Sequence, residues 1–292
     1  MTTDTCPLIS GEQDRETCPK CIVQKTAPKG RSQDKILNNC LADIRQNIES
    51  ILNKPDQTRQ MFIALGKLRR VTASEEEPIV DIAQKKEVLF ILELVDGNNI
   101  SLDKSQELQL QMDMNDILFN IGEYEKAMNG FLAISKKDSK NKKVWNNIGV
   151  IKVRMGTDRE ALESYDKALE LEPGYGSAWF NKGKALFRLG QKKKALECFR
   201  NATKYSPENK SAWNNLGVTL RQLKKFRESI KCYDQALKIH SNYPWAWHNK
   251  GVALMDMKRY KQAMQCFDKA LQIDPHYEPA KESKKELMRK LM

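Results

Sequence analysis

Histidine is scarce in this 292-residue chain, with three in all, and no H-E-x-x-H pair exists. Neither a Gly-rich phosphate loop nor a G-x-S-x-G elbow is present. Carboxylates are plentiful, but with 30% of residues charged, a pair at helical spacing is ordinary surface pairing. No arrangement therefore offers a nucleophile with its base, and the chain is expected to be non-catalytic. The longest apolar run, Val88 to Val95, is broken by Glu93. It falls well short of the roughly 18 residues that cross a bilayer, so no membrane partner is expected. Met1 to Gly11 lacks a basic segment followed by an apolar core, so the expectation is a cytoplasmic protein without a secretory signal.

The formal net charge of +12 is unevenly spread. Residues 1–107 carry 15 Lys and Arg against 17 Asp and Glu, whereas residues 108–292 carry 35 against 21. Much of the excess, such as Lys192 to Lys194 or Lys224 and Lys225, falls where turns are expected, and it reads first as a solvated face.

Four tryptophans, Trp145, Trp179, Trp213 and Trp247, stand 34 residues apart. Gly149, Gly183, Gly217 and Gly251 follow four residues on, then Ala161, Ala195, Ser229 and Ala263. Next come Tyr165, Phe199, Tyr233 and Phe267, and after them Ala168, Ala202, Ala236 and Ala270. Pro173, Pro207 and Pro275 close three copies, with Ser241 in the other. Small residues let two helices cross closely, the aromatics fill the space between copies, and proline ends the second helix because it has no N–H to donate. A period of 34 with this pattern resembles the tetratricopeptide repeat, a helix-turn-helix that stacks on copies of itself. Full copies are placed at 142–175, 176–209, 210–243 and 244–277. A degraded copy at about 108–141 keeps Leu118, Gly122, Ala127 and Phe131 but has Gln111 in place of Trp and Asn115 in place of Gly. The polar stretch from Pro279 to Leu291 reads as a capping helix. The expected fold is all-α: a right-handed α-solenoid of about five units, with an N-terminal helical region and a C-terminal cap.

Departures from the pattern are expected to bear on packing. Lys182 and Lys250 stand where the family has Leu, so their stems should lie on apolar surface with the ammonium groups reaching water.

The resemblance implies a binding face. First helices line the concave side of such a superhelix, and Asn147, Asn181, Asn215 and Asn249 lie on them, two residues after each Trp. This resembles the asparagine ladder in the repeat domain of O-linked N-acetylglucosamine transferase. Asparagine both donates and accepts, so such a ladder could bond the backbone of an extended peptide or bridge neighbouring helices. The same mapping puts Lys143, Arg154, Lys184, Arg188 and Arg221 in the groove against Asp113, Asp116 and Asp256, with Phe180 and Trp245 as aromatic anchors. The carboxylate clamp of chaperone-binding relatives is not reproduced, because Ser177, Ser211 or Trp245 and then Asn181, Asn215 or Asn249 stand where its last two basic residues belong. The implied function is a scaffold or adaptor whose groove takes an extended or helical segment of another protein, acidic in character.

Cysteine forms two groups. Cys198, Cys232 and Cys266 follow the period and read as packing beside the aromatic of the second helix. Cys6, Cys18, Cys21 and Cys40 precede the repeats. Cys18-Pro19-Lys20-Cys21 has the spacing of a zinc knuckle, which Cys6 and Cys40 would have to complete. Residues 1–31 thus read as a tail that is either disordered or zinc-binding, with no other cofactor expected. The alternative function is a nucleic-acid-associated protein that combines this zinc-binding tail with basic repeats.

Residues 32–107 read as non-repeat helices. Leu37, Leu41, Ile44, Ile48 and Ile51 form one stripe ending before Pro55. A second helix from Asp56 to about Arg70 turns Met61, Phe62, Leu65 and Leu68 inward. A third follows the capping box Ser74 to Glu77 and ends at Gly97, expected in the left-handed cap.

Overall fold

The computed structural model describes residues 31–52, 58–72, 82–97 and 102–291. They form fourteen α-helices, with no strand among the described residues. The helices fall into two compact bodies, one ending at Ser139 and the other beginning at Lys140.

The N-terminal body holds α1 (Arg31–Leu52), α2 (Thr58–Thr72), α3 (Ile82–Asp96), α4 (Lys104–Asn120) and α5 (Tyr124–Lys137). The stripe on α1 is buried through Leu41, Ile44, Ile48 and Ile51, and it meets Met61, Leu65 and Leu68 of α2 and Val88, Ile91 and Val95 of α3. Phe62, expected inward, is only half-buried. The Ser74 to Glu77 box lies outside the described residues. Gly97 departs from expectation: its N–H donates to the Glu93 carbonyl at 2.9 Å, continuing the α-helical pattern, and its φ is not positive. Helix α4 starts on a capping box of a different kind, in which Asp103 accepts from the Ser105 and Gln106 N–H groups while Gln106 accepts from the Asp103 N–H. Arg69 of α2 pairs with Asp113 at 2.8 Å and Asp116 at 3.2 Å on α4.

Helices α4 and α5 are the hairpin expected at 108–141. Ala127 and Phe131 are fully buried, as in a regular copy. The missing glycine is compensated across the hairpin. Asn115 stands in its place, and the facing residue on α5 is Gly130, whose added Cβ would meet the Asn115 side chain at 1.9 Å. A larger residue on one helix is accommodated by a smaller one on the other.

The C-terminal body holds four helix pairs and a cap: α6 (Lys142–Arg154) with α7 (Asp158–Leu171), α8 (Gly176–Arg188) with α9 (Lys192–Tyr205), α10 (Lys210–Gln222) with α11 (Phe226–Ile239), α12 (Pro244–Asp256) with α13 (Tyr260–Ile273), and α14 (Glu278–Leu291). Within each pair the glycine of the first helix faces the aromatic of the second. A Cβ at Gly149, Gly183, Gly217 or Gly251 would lie 2.5–2.8 Å from the ring of Tyr165, Phe199, Tyr233 or Phe267. Those four rings are buried, whereas the tryptophans are half-buried. Three of the latter hold the preceding turn: Nε1 of Trp179, Trp213 and Trp247 donates to the carbonyls of Pro173, Pro207 and Ser241 at 2.8–2.9 Å. Pairs stack with second helix against the next first helix, and first helices also pack on first helices. The closer approach among first helices puts them on the inner, concave side of the curve. Ala280 and Leu287 of α14 close the stack, and Lys284 pairs with Asp268 at 2.7 Å.

The turn inside each pair is built one way. In the first, the Gly156 N–H donates to Val153 and the Thr157 N–H to Lys152, with Gly156 at φ 85°, which is the Schellman arrangement. Gly190 repeats it at φ 74°. Lys224 and Lys258 occupy the same position at φ 60° and 58° and pay the steric cost of the left-handed region that glycine avoids.

Candidate functional site: the inner face of the repeats

The first-helix asparagines do not form one uniform ladder. Asn181 Nδ2 donates to Asn146 Oδ1 at 3.0 Å, and Asn249 Nδ2 donates to Asn214 Oδ1 at 3.0 Å, so these two bridge neighbouring first helices. Their acceptors, Asn146 and Asn214, are buried. At the equivalent step before the cap, His248 Nε2 and Ser283 Oγ lie 3.0 Å apart. The step between α8 and α10 breaks the rule. Phe180 stands where an acceptor belongs, and Asn215 Nδ2 instead donates to the Ser211 carbonyl of its own helix at 2.8 Å. Asn147 lies beside Asn146, whose Nδ2 is 3.5 Å from Asn147 Oδ1.

This alternation belongs to a double period of 68 residues. Asn141 and Asn209 cap α6 and α10 through their side chains, and Lys142 and Lys210 each stand 5.2 Å over Tyr175 and Tyr243. Lys182 and Lys250 bond Asp166 and Asp234 of the preceding second helices while lying over Trp179 and Trp247. The stems do cover apolar surface, but the ammonium groups are held by carboxylates, a partner that spacing within one copy does not reveal. The signal was present in the sequence as the identity of positions two copies apart.

The basic residues assigned to the groove separate into two sets. Arg221 on α10 pairs with Asp256 on α12 at 3.1 Å, so its charge is offset within the body. Arg154, Lys184 and Arg188 come together around the ends of α6 and α8. Phe180, Lys184 and Arg188 follow one another at four-residue steps and so share one face of α8. The Lys184 ammonium lies 5.4 Å from the Phe180 ring centroid, and the ring packs on Phe199 at 6.1 Å. Arg188 pairs with Asp158 at 3.2 Å. Burial, and then the guanidinium groups of Arg154 and Arg188, hold the Lys184 ammonium below its ordinary pKa.

At the far end of the face, Trp245 is exposed between Tyr243 and Tyr277, each ring 5.6 Å away, and Tyr277 meets His248 edge-on at 5.6 Å. Burial, followed by the nearby Arg221, pushes the His248 pKa down to about 4. Lys143 is exposed on α6. Asp113 and Asp116 lie in the N-terminal body, on Arg69. Burial raises the Asp116 carboxyl to about 6 against the opposing pull of Arg69.

The thiols of Cys198, Cys232 and Cys266 are buried and raised by that burial to about 11, which suits packing and not nucleophilic chemistry. Cys40 is buried in the core of the N-terminal body, beside Leu41 and Ile44. Cys6, Cys18 and Cys21 lie outside the described residues. Among the described residues no group of three or more His, Cys, Asp or Glu side chains is placed to hold a metal ion. No helix among them is long and apolar enough to cross a membrane.

Helix pairs of 34 residues with a glycine-on-aromatic crossing define a tetratricopeptide solenoid. Sequence models of the tetratricopeptide repeat match residues 142–175, 176–209, 211–243 and 244–277. Through these residues the chain belongs to the tetratricopeptide-repeat (TPR) family. No curated protein sequence matches it. Among solved structures, the MamA protein is similar at 21% identity with a TM-score of 0.52, over 59% of this chain and 93% of that one. A portion of MamA from Desulfovibrio magneticus RS-1, residue 41 to the end, is similar at 18% identity and a TM-score of 0.53, over 61% and 99%. YrrB, described as a TPR protein with an unusual peptide-binding site, is similar at 21% identity and a TM-score of 0.52, over 62% and 94%. At these identities the likeness is one of fold.

Proposed function

We propose that the chain is a non-catalytic interaction scaffold that holds an extended or helical segment of another protein along its concave face, and that this segment is acidic. The observation that carries the reading is the inner face itself. First helices present a row of asparagine amides, broken at Phe180, with Arg154, Lys184 and Arg188 at one end and the exposed Trp245 at the other. An amide-lined groove suits main-chain recognition, a half-exposed aromatic suits a side-chain anchor, and clustered cations suit carboxylates. YrrB is described as having a peptide-binding site, and peptide binding is carried over to this chain as part of the proposal.

The test is capture from cell extract on the full chain and on Ser177→Trp, which adds bulk at an exposed first-helix position two copies before Trp245. A protein retained by the wild type, lost from the variant, and cross-linked through an acid-rich segment supports the reading. Equal retention on both, with helicity unchanged, overturns the concave face as the binding surface.

A further inference from the structure

One cluster on the inner face departs from every other repeat. At the registers of Phe180, Lys184 and Arg188, repeat 142–175 has Asn146, Val150 and Arg154. Repeat 210–243 has Asn214, Val218 and Gln222, and repeat 244–277 has His248, Val252 and Asp256. Only α8 combines an aromatic, an ammonium and a guanidinium on one face, and Arg154 adds a second guanidinium from the matching register of α6. Lys184 takes the place of valine, it is exposed enough to meet a ligand, and no carboxylate lies within 4.0 Å of it among the described residues. Its electrostatic neighbours are two further cations, whose field lowers its pKa after burial has done so. Arg188 is oriented differently: Asp158, largely buried, holds Nη2 at 3.2 Å. That single contact anchors one nitrogen of the guanidinium and leaves its remaining donors for another acceptor.

We infer that Arg154, Lys184 and Arg188, standing around Phe180, form a seat for one phosphorylated serine or threonine in the segment bound by the groove. This rests on the proposed reading of the concave face and adds the chemistry of one position in the ligand. A carboxylate offers two oxygens and one negative charge, enough for one bidentate arginine. A phosphoryl group offers three acceptor oxygens and about −1.5 to −2 charge near pH 7, so it can meet three cations from two helices at once. The Phe180 ring supplies an apolar wall for the carbon atoms that carry the phosphate and keeps the Lys184 stem extended. The single Asp158 belongs to the site as the group that orients Arg188.

The probe is O-phosphoserine, titrated into the isotopically labelled full chain at constant ionic strength and followed by nuclear magnetic resonance. Saturable shifts are expected at Phe180, Lys184, Arg188 and Arg154, with an upward move of the Lys184 titration midpoint. Lys184→Met and Arg188→Gln should each weaken the response at least tenfold, and Arg188→Lys, which keeps charge without the fork, should fall between. Succinate, a dicarboxylate of similar charge, should bind at least tenfold more weakly. Equal response to succinate, or shifts spread over Lys192 to Lys194 and unaffected by Lys184→Met, would overturn the seat. Inorganic phosphate binding as tightly as O-phosphoserine would assign the cluster to the free anion and overturn the modified side chain. Because the probe needs no partner, its failure is separable from failure of the Ser177→Trp capture.

Discussion

Asn181 and Asn215 occupy one register of the repeat, yet the structure gives them different work, so replacing each by alanine separates packing from recognition. Removing Asn181 takes away the donor that Asn146 Oδ1 accepts at 3.0 Å, and Asn146 is 6% exposed, so water cannot readily replace it. A buried acceptor left unsatisfied costs about 1–3 kcal/mol. Removing Asn215 takes away a bond to the Ser211 carbonyl, which already belongs to a helix and sits on a half-exposed residue. That loss should stay near the 0.5 kcal/mol end of the usual range of about 0.5–1.5. The assay is urea unfolding of the full chain followed by tryptophan fluorescence, which reports on the repeats because all five tryptophans lie on their first helices. Asn181→Ala should lower stability by about 1.5 kcal/mol more than Asn215→Ala. The cycle with Asn146→Ala should return a coupling of about 1 kcal/mol, because the two residues share one bond. Equal losses at Asn181 and Asn215, or no coupling to Asn146, would refute the bridging account.

Three further outcomes follow from the repeats. Lys224→Gly relieves a left-handed residue and should stabilise the repeats by about 0.5–1 kcal/mol in the same unfolding assay, after glycine's own entropic cost. Gly217→Ala brings a Cβ to 2.5 Å from the buried Tyr233 ring and should destabilise by about 2–3 kcal/mol, measurable as a lower urea midpoint. His248, at about 4 when folded against 6.5 as its ordinary value, takes up a proton more readily unfolded, so its contribution is complete above pH 6.5 and is lost as pH falls towards 4. Stability curves at pH 7 and pH 4.5 should differ by on the order of 1–2 kcal/mol from this residue, and His248→Asn should remove that part of the difference.

The fold of the repeats was legible in the sequence because each copy places the same residue in the same environment, so four independent occurrences of Gly against an aromatic report one crossing. What a 34-residue template hides is whatever alternates. Among the four full repeats the bonds from Asn181 and Asn249 and the ion pairs of Lys182 and Lys250 recur every second copy, and the cap repeats the ion pair at once through Lys284 and Asp268. The left-handed turn was hidden for a related reason: glycine marks it at Gly156 and Gly190, but lysine replaces it at Lys224 and Lys258. In the N-terminal body an apolar stripe shows that α1 is buried but not against what, since its partners Leu65 and Ile91 are set by chain path and not by local period. Gly97 shows the limit of a single-residue cue: glycine permits the left-handed cap without requiring it, and here the helical bond to Glu93 prevails. The Asn115 and Gly130 exchange is legible only when both helices of the hairpin are considered together.

The same alternation bears on where a ligand can bond. Asn181 and Asn249 each commit one N–H to a buried partner, so turning either amide towards a peptide would strand Asn146 or Asn214. Asn215 has spent its donor on a carbonyl of its own helix, and releasing it strands no buried group. A bound segment therefore gains most at Asn215, which lies across the broken step from Phe180, and Phe180 is also the residue around which Lys184 and Arg188 gather. The interruption of the ladder, between α8 and α10, and the concentration of charge, between α6 and α8, meet on α8. If the inner face binds a partner, the α8 to α10 step is where binding costs the fold least, and contacts with the bridging asparagines should be limited to their carbonyl oxygens and the one N–H that each bridge leaves over.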